Sequence, residues 1–381
     1  MILIKQADIY APESIGIHDV LLCAGKIEAI GDDLSPLCNC QVIDGTGMKL
    51  IPGIIDRHVH VTGGGGEGSF HTRAPEVQLS SLIQGGVTTV LGLLGTDGIT
   101  RSVENLVAKV KALKEEGISA YAVSGSYGFP PVTITGDLQK DIVFIDEVIG
   151  VKLAISDHRA PNISVEELIR LGSDVRTAGM LSGKAGIVVL HMGDDNRGLE
   201  PVFEALERTS IPIKTFQPTH VSRTEKLLKD AFKFAKMGGT IDITCGESRR
   251  DKVALLLKDA KSQGVPMENL TFSSDGQGSW SKYDENGKLV KIGVSDVDTI
   301  IKELAYLVNE AGFPLEEVLP LGTSNVARAL EIDGLKGSIR EGADADLLLV
   351  NDSMELDTVI AGGNVMMRNG EVLVKGTYDE R

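Results

Sequence analysis

The feature that most constrains this chain is an alternation running through its middle. Apolar, β-branched runs recur at 53–60, 87–94, 120–126, 148–155, 186–191, 212–220, 240–245 and 270–275. Between most of them apolar residues fall at i, i+3 and i+4, as at 103–116, 165–178, 199–207, 224–237 and 253–263. The first pattern suits a strand buried on both faces, and the second lines one face of a helix. Strands that alternate with helices lie parallel, because each helix carries the chain back to the edge it left. Eight such units close into a barrel.

The two ends of the chain read differently. Short strand patterns fill the start (2–9, 20–23, 26–30 and 41–43) and return at the end (346–350, 356–361, 364–367 and 371–375). Gly362-Gly363 and Asn369-Gly370 suit two-residue hairpin turns. A barrel alone takes roughly 250 residues, so a chain of 381 has material left for a second unit. The expected fold class is therefore α/β, a (β/α)8 TIM barrel over 53–339. A small β-sandwich domain is expected from the N- and C-terminal segments, 1–52 and 340–381.

In a parallel barrel, functional residues gather at the C-terminal ends of the strands. The polar residues follow that rule. The first strand ends in Asp56-Arg57-His58-Val59-His60, the fourth holds Lys152, and the fifth and sixth end at His191 and His220. The eighth runs into Ser274-Asp275-Gly276. Four of the seven histidines thus sit at strand ends, while His18, His71 and His158 do not. In His-x-His on a strand both imidazoles face the same way, so the pair can hold one metal ion. Two more histidines on neighbouring strands can hold a second, and Asp275 adds an oxygen ligand that also accepts a proton. Lys152 has two readings from the residues alone: a barrel lysine paired to a carboxylate or reaching solvent, or a lysine carbamylated by CO2 and bridging two cations.

A formal charge of −16 excludes the basic surface that nucleic acid requires. No apolar run approaches the roughly 18 residues of a membrane span. The first residues also lack a basic start, a long apolar run and a small-residue cleavage site. A cytoplasmic location without a membrane partner is expected. Cys23, Cys38, Cys40 and Cys245 show no Cys-x-x-Cys spacing and are read as reduced thiols.

Two segments carry a resemblance. Pro52-Gly53-Ile54-Ile55-Asp56-Arg57-His58-Val59-His60 resembles the opening of the amidohydrolase superfamily, and 337–347 resembles its return into the small β unit. A narrower resemblance, to the isoaspartyl (β-aspartyl) dipeptidases, rests on 63–67, 92–98, 125–127, 152–159 and 274–279. It runs in order along essentially the whole chain. Ser69-Phe70-His71 departs from that family, outside the motif residues.

This resemblance implies a metallo-dipeptidase with two Zn2+ per subunit. His58, His60 and Asp275 would hold one ion and His191 and His220 the other, with carbamylated Lys152 and a hydroxide between them. It implies that Asp275 moves the proton and that Tyr127 stabilises the oxyanion. Substrate contacts would come from Glu67, Gly65, Thr96, Arg159, Arg223 and Ser279. Their chemistry suits an isoaspartyl dipeptide, which carries an ammonium for Glu67 and carboxylates for the two arginines. The resemblance further implies a homo-oligomer, an octamer built from dimers. A cyclic-amide hydrolase of the dihydroorotase or hydantoinase type would share the metal ligands but not Glu67, Tyr127 and Arg223. A non-catalytic scaffold would be marked by a lost ligand, and none is lost.

Overall fold

The computed structural model describes residues 1–35, 39–246 and 250–379, so Cys38 lies outside the described residues. Eight strands form one sheet in chain order. They are β1 (Ile54–Val59), β2 (Val87–Gly92), β3 (Ser119–Gly125), β4 (Val148–Ile155), β5 (Ile187–Met192), β6 (Phe216–Thr219), β7 (Ile241–Thr244) and β8 (Leu270–Ser273). All neighbouring pairs are parallel. The ring closes where Val59 bridges Gly276 and the His60 amide donates to the Gly276 carbonyl at 2.9 Å. Every residue of β4 is buried, which is why the barrel strands read as unbroken apolar runs.

The helices sit where the spacing places them, and local chemistry sets their ends. Val165–Ser182 starts at a capping box in which the Ser164 hydroxyl and Glu167 carboxylate each accept from the other's backbone amide. It stops at Gly183, whose φ of 68° is open to glycine at little cost. At the N-terminal end of the barrel, Ile55, Leu91, Val123 and Val189 pack with Val326, Ala327 and Leu330 in and beside the short helix Ser324–Ala329. The Asn325 amide donates to the Leu270 carbonyl at 2.9 Å, tying that helix to the start of β8. That end is sealed.

The structure corrects the sixth strand. The sequence pattern starts it at 212, but Ile213–Thr215 is a single 3-10 turn and β6 begins at Phe216. Pro212 fixes the entry, and its carbonyl accepts the Thr215 amide at 2.9 Å. Pro218, inside β6, has no N–H to give the ladder, and β6 meets β7 through one residue pair, Thr219 with Asp242. The structure also adds an antiparallel hairpin, Ser279–Tyr283 with Leu289–Val294, directly after Asp275. Its signal, Asn286-Gly287 between alternating runs, is present in the sequence.

The terminal segments join in one nine-stranded sheet. The seam is antiparallel, Lys49–Pro52 against Leu347–Val350. Ile4, Ile9, Val20, Leu22, Leu50, Leu347 and Leu349 form an apolar core distinct from that of the barrel.

Candidate metal centre and substrate pocket

The C-terminal ends of the strands open into a cavity of about 430 Å³, a size suited to a small ligand. His60, His191, His220, Asp275, Tyr127, Glu67, Gly65, Thr96, Arg159, Arg223 and Ser279 all line it. His58 and Lys152 lie just beneath, fully buried.

The four strand-end histidines converge. His58 and His60 have ring centroids 5.5 Å apart, His58 and His220 4.9 Å, and His191 and His220 4.7 Å. Lys152 Nζ is 2.9 Å from His58 Nε2. Asp275 Oδ1 lies 3.2 Å from His60 Nε2 and 3.6 Å from His58 Nε2. The backbone is bent to achieve this. His220 and Asp275, each just past its strand, adopt φ of 61° and 55°, a left-handed conformation that residues with a Cβ seldom take.

The electrostatics favour uncharged nitrogen. Burial holds His58, His191 and His220 well below the usual histidine range, so they stand as neutral imidazoles, the form that binds metal. Burial also pushes the Lys152 amine down to about 7. The Tyr127 phenol is pushed up by burial and stays protonated as a donor, its oxygen 2.7 Å from His191 Nδ1. Donor atoms of His58, His220 and Asp275 all lie within 4.8 Å of one another, a spacing one ion can span. Nδ1 of His58 and of His60 are buried without a hydrogen-bond partner, a cost that folding alone does not explain. His220 Nδ1 pairs with Thr244 Oγ1 at 2.6 Å, which leaves its Nε2 for the cavity. The donor set fits a cationic metal centre.

The substrate-binding candidates are arranged more specifically than spacing suggests. The Glu67 carboxylate accepts from Ser279 Oγ at 2.9 Å and from Thr96 Oγ1 at 3.2 Å, so both hydroxyls hold the glutamate. Gly65 has φ of 80°, and a Cβ there would lie 2.3 Å from the Thr72 carbonyl oxygen, so only glycine lets the loop pass. Arg101 donates to the carbonyls of Thr62, Gly64 and Ala74 and anchors this glycine run.

Arg159 points its Nε and Nη2 edge at Asp157, both at 2.9 Å, and its Nη1 lies 3.5 Å from Glu67. Arg223 Nη1 is 3.6 Å from Asp157, with about a third of its side chain open to the cavity. Sequence reasoning missed Asp157, although it stands two residues past β4 as Asp275 does past β8, and missed Trp280 and Tyr283, which the unanticipated hairpin brings to the pocket wall. Burial acts to raise the Asp157 carboxyl, but hydrogen bonds from His191 and Arg159 outweigh it and keep the group ionised.

Among solved structures, the β-aspartyl dipeptidase of Fervidobacterium islandicum AW-1, in complex with a β-Asp-Leu dipeptide, is similar over 97% of this chain and 98% of that one. The two are 45% identical, with a TM-score of 0.92. The dihydropyrimidinase of Brevibacillus agri NCHU1002 shares the fold at 16% identity and a TM-score of 0.67, over 98% of this chain and 96% of that one. The dihydroorotase of Streptococcus thermophilus CNRZ 1066 is 24% identical over 92% of this chain and 90% of its own length. The profile of the Amidohydrolase family matches residues 50–366. By that match, which takes in every strand of the barrel and every histidine at its mouth, the chain belongs to the amidohydrolase family.

Proposed function

We propose that this amidohydrolase is a metallo-dipeptidase that hydrolyses the isopeptide bond of β-aspartyl dipeptides. The observation that carries the reading is one cavity lined by a carboxylate, Glu67, by two guanidinium groups, Arg159 and Arg223, and by imidazoles that burial keeps neutral. A β-aspartyl dipeptide brings the complementary charges, an α-ammonium and two carboxylates. The 45% identical Fervidobacterium islandicum enzyme, solved with β-Asp-Leu, supports the same choice.

In this reading His58, His60 and Asp275 would hold one zinc ion, and His191 and His220 a second. Lys152 would lie between them as its carbamate, formed when the neutral amine attacks CO2, an N–C bond replaces one C–O π bond and one proton leaves. Metal ions held there would supply a hydroxide nucleophile at neutral pH and Lewis-acid polarisation of the scissile carbonyl. Asp275 accepts the nucleophile's proton and passes it to the leaving amine, so the departing group is neutral. The Tyr127 phenol donates to the carbonyl oxygen as it gains charge. Glu67, fixed by Thr96 and Ser279, pairs with the α-ammonium, while Arg223 and Nη1 of Arg159, which lies 3.5 Å from Glu67, bind carboxylate.

The test is turnover of β-Asp-Leu beside dihydroorotate and hydantoin, with metal content measured on the same sample. Cleavage of the dipeptide with no turnover of either cyclic amide is expected. Turnover of a cyclic amide alone would overturn the reading.

A further inference from the structure

Asp157 follows β4 and is buried to within 3% of its surface, yet it belongs to neither the metal ligands nor the substrate contacts proposed above. Its carboxylate is fully engaged. Oδ2 lies 3.2 Å from His191 Nε2 and 2.9 Å from Arg159 Nη2, and Oδ1 accepts from Arg159 Nε at 2.9 Å and from the Arg159 backbone amide at 2.8 Å. Arg223 Nη1 is 3.6 Å from Oδ2, and exposed His158 Nδ1 is 3.7 Å from Oδ1.

The surrounding chain is shaped to hold it there. Ser156 takes φ of 52°, and its carbonyl accepts the Asp195 amide at 3.0 Å. A Cβ on Gly193 would sit 2.2 Å from the Ser156 carbonyl oxygen and 2.3 Å from Asp157 Cα. Only a glycine lets the exit of β5 pass so close to the exit of β4.

A carboxylate can only accept, so the 3.2 Å contact to Asp157 favours His191 with its proton on Nε2 and a lone pair at Nδ1. Tyr127 Oη lies 3.1 Å and Arg159 Nη2 3.4 Å from the same Nε2. Nδ1 faces the site, 2.7 Å from the Tyr127 hydroxyl. The same carboxylate fixes the Arg159 fork and draws Arg223 beside it. We propose that Asp157 is a positioning residue that couples the two halves of the site: it sets the tautomer of the metal ligand His191 and orients the arginines that receive the substrate's carboxylates. The inference rests on the dipeptidase reading above.

The experiment compares wild type, Asp157→Asn and Asp157→Glu. Zinc affinity is read by chelator competition on metal-stripped protein, and kcat and KM for β-Asp-Leu at saturating zinc. Asp157→Asn keeps the shape but puts an amide where donors converge. Its zinc affinity should fall about 10- to 100-fold, and its KM should rise even when zinc saturates. Asp157→Glu, which keeps the charge, should recover part of both, whereas Glu67→Gln should raise KM and leave zinc affinity unchanged. Either variant at position 157 decides the matter if the other fails to fold. Unchanged zinc affinity in a folded variant, with or without a change in KM, would overturn the coupling. A wild type that binds no zinc, or does not cleave β-Asp-Leu, would sink the dipeptidase reading itself.

Discussion

The two ends of the barrel treat buried charge in opposite ways. At the N-terminal end, Glu147 stands just before β4 and is held by Lys114 at 2.8 Å and Lys111 at 2.9 Å. Burial acts to raise its carboxyl, but the hydrogen bond from Lys114 and the ion pair with Lys111 prevail and bring it to about 2. At the C-terminal end of the same strand system, burial outweighs every compensating charge at Lys152 and at three imidazoles, although Asp157 beside them is held ionised by His191 and Arg159. Burial brings Lys152 to about 7, depresses the three imidazoles and leaves two imidazole nitrogens unpartnered. Groups that lower the folding free energy are paired, and groups kept away from their ordinary charge state at a cost to folding are the ones available for chemistry. On the proposed function, one end of the barrel stabilises and the other reacts.

The contrast can be broken from either side. The largest effect belongs to Lys152→Ala, which should remove at least about 10³-fold of kcat, since a misassembled metal centre forfeits several kcal/mol of transition-state stabilisation. Short carboxylic acids added with zinc should restore part of it; full activity without additives would show that the lysine bridges nothing. Asp275→Asn comes next, with a loss of about 10²- to 10⁴-fold in kcat and retained zinc on elemental analysis. Near wild-type turnover would place the proton transfer elsewhere. For Glu67→Gln the loss should be about 10²-fold in kcat/KM and confined to substrates with a free α-amino group. An equal loss on N-acylated analogues would remove its pairing role.

The smallest effect tests the opposite end. Because the folded carboxyl of Glu147 lies below its ordinary value, the unfolded chain binds the extra proton between about pH 2 and 4.5. The stabilisation is therefore complete above about pH 4.5 and is lost as pH falls toward 2. With both lysines half exposed, screening reduces the contribution to about 1–2 kcal/mol. Urea titration of Glu147→Gln should show that deficit at pH 7 and its disappearance in acid, with kcat unchanged. A loss of activity at pH 7 in folded protein would contradict the division between the two ends.

Much of the reactive end was legible. Period-two and period-3.6 patterns are local, so the eight strands and their intervening helices could be read from neighbours a few residues away. The C-terminal-end rule then gathers His58, His60, Lys152, His191, His220 and Asp275 into one site from the sequence alone. The start of β6 was misread because Phe216 extends an apolar run that Pro212 has already turned into a 3-10 corner. The hairpin at 279–294 carried a readable Asn-Gly turn that the barrel pattern overshadowed.

The sequence by itself determined the alternation, the two β-rich ends and the identity of the polar residues that a parallel barrel must bring to its mouth. Tertiary structure alone decided which partner each of those residues has. Ser279 turns its hydroxyl onto Glu67 only because the ring closes between β1 and the turn after β8, while Thr96 reaches Glu67, and Asp157 reaches His191 and Arg223, across strands that lie side by side. Periodicity is written in residues that neighbour one another along the chain. Hydrogen bonds across the barrel mouth depend on closure, tilt and the left-handed bends at His220 and Asp275, which no local pattern encodes.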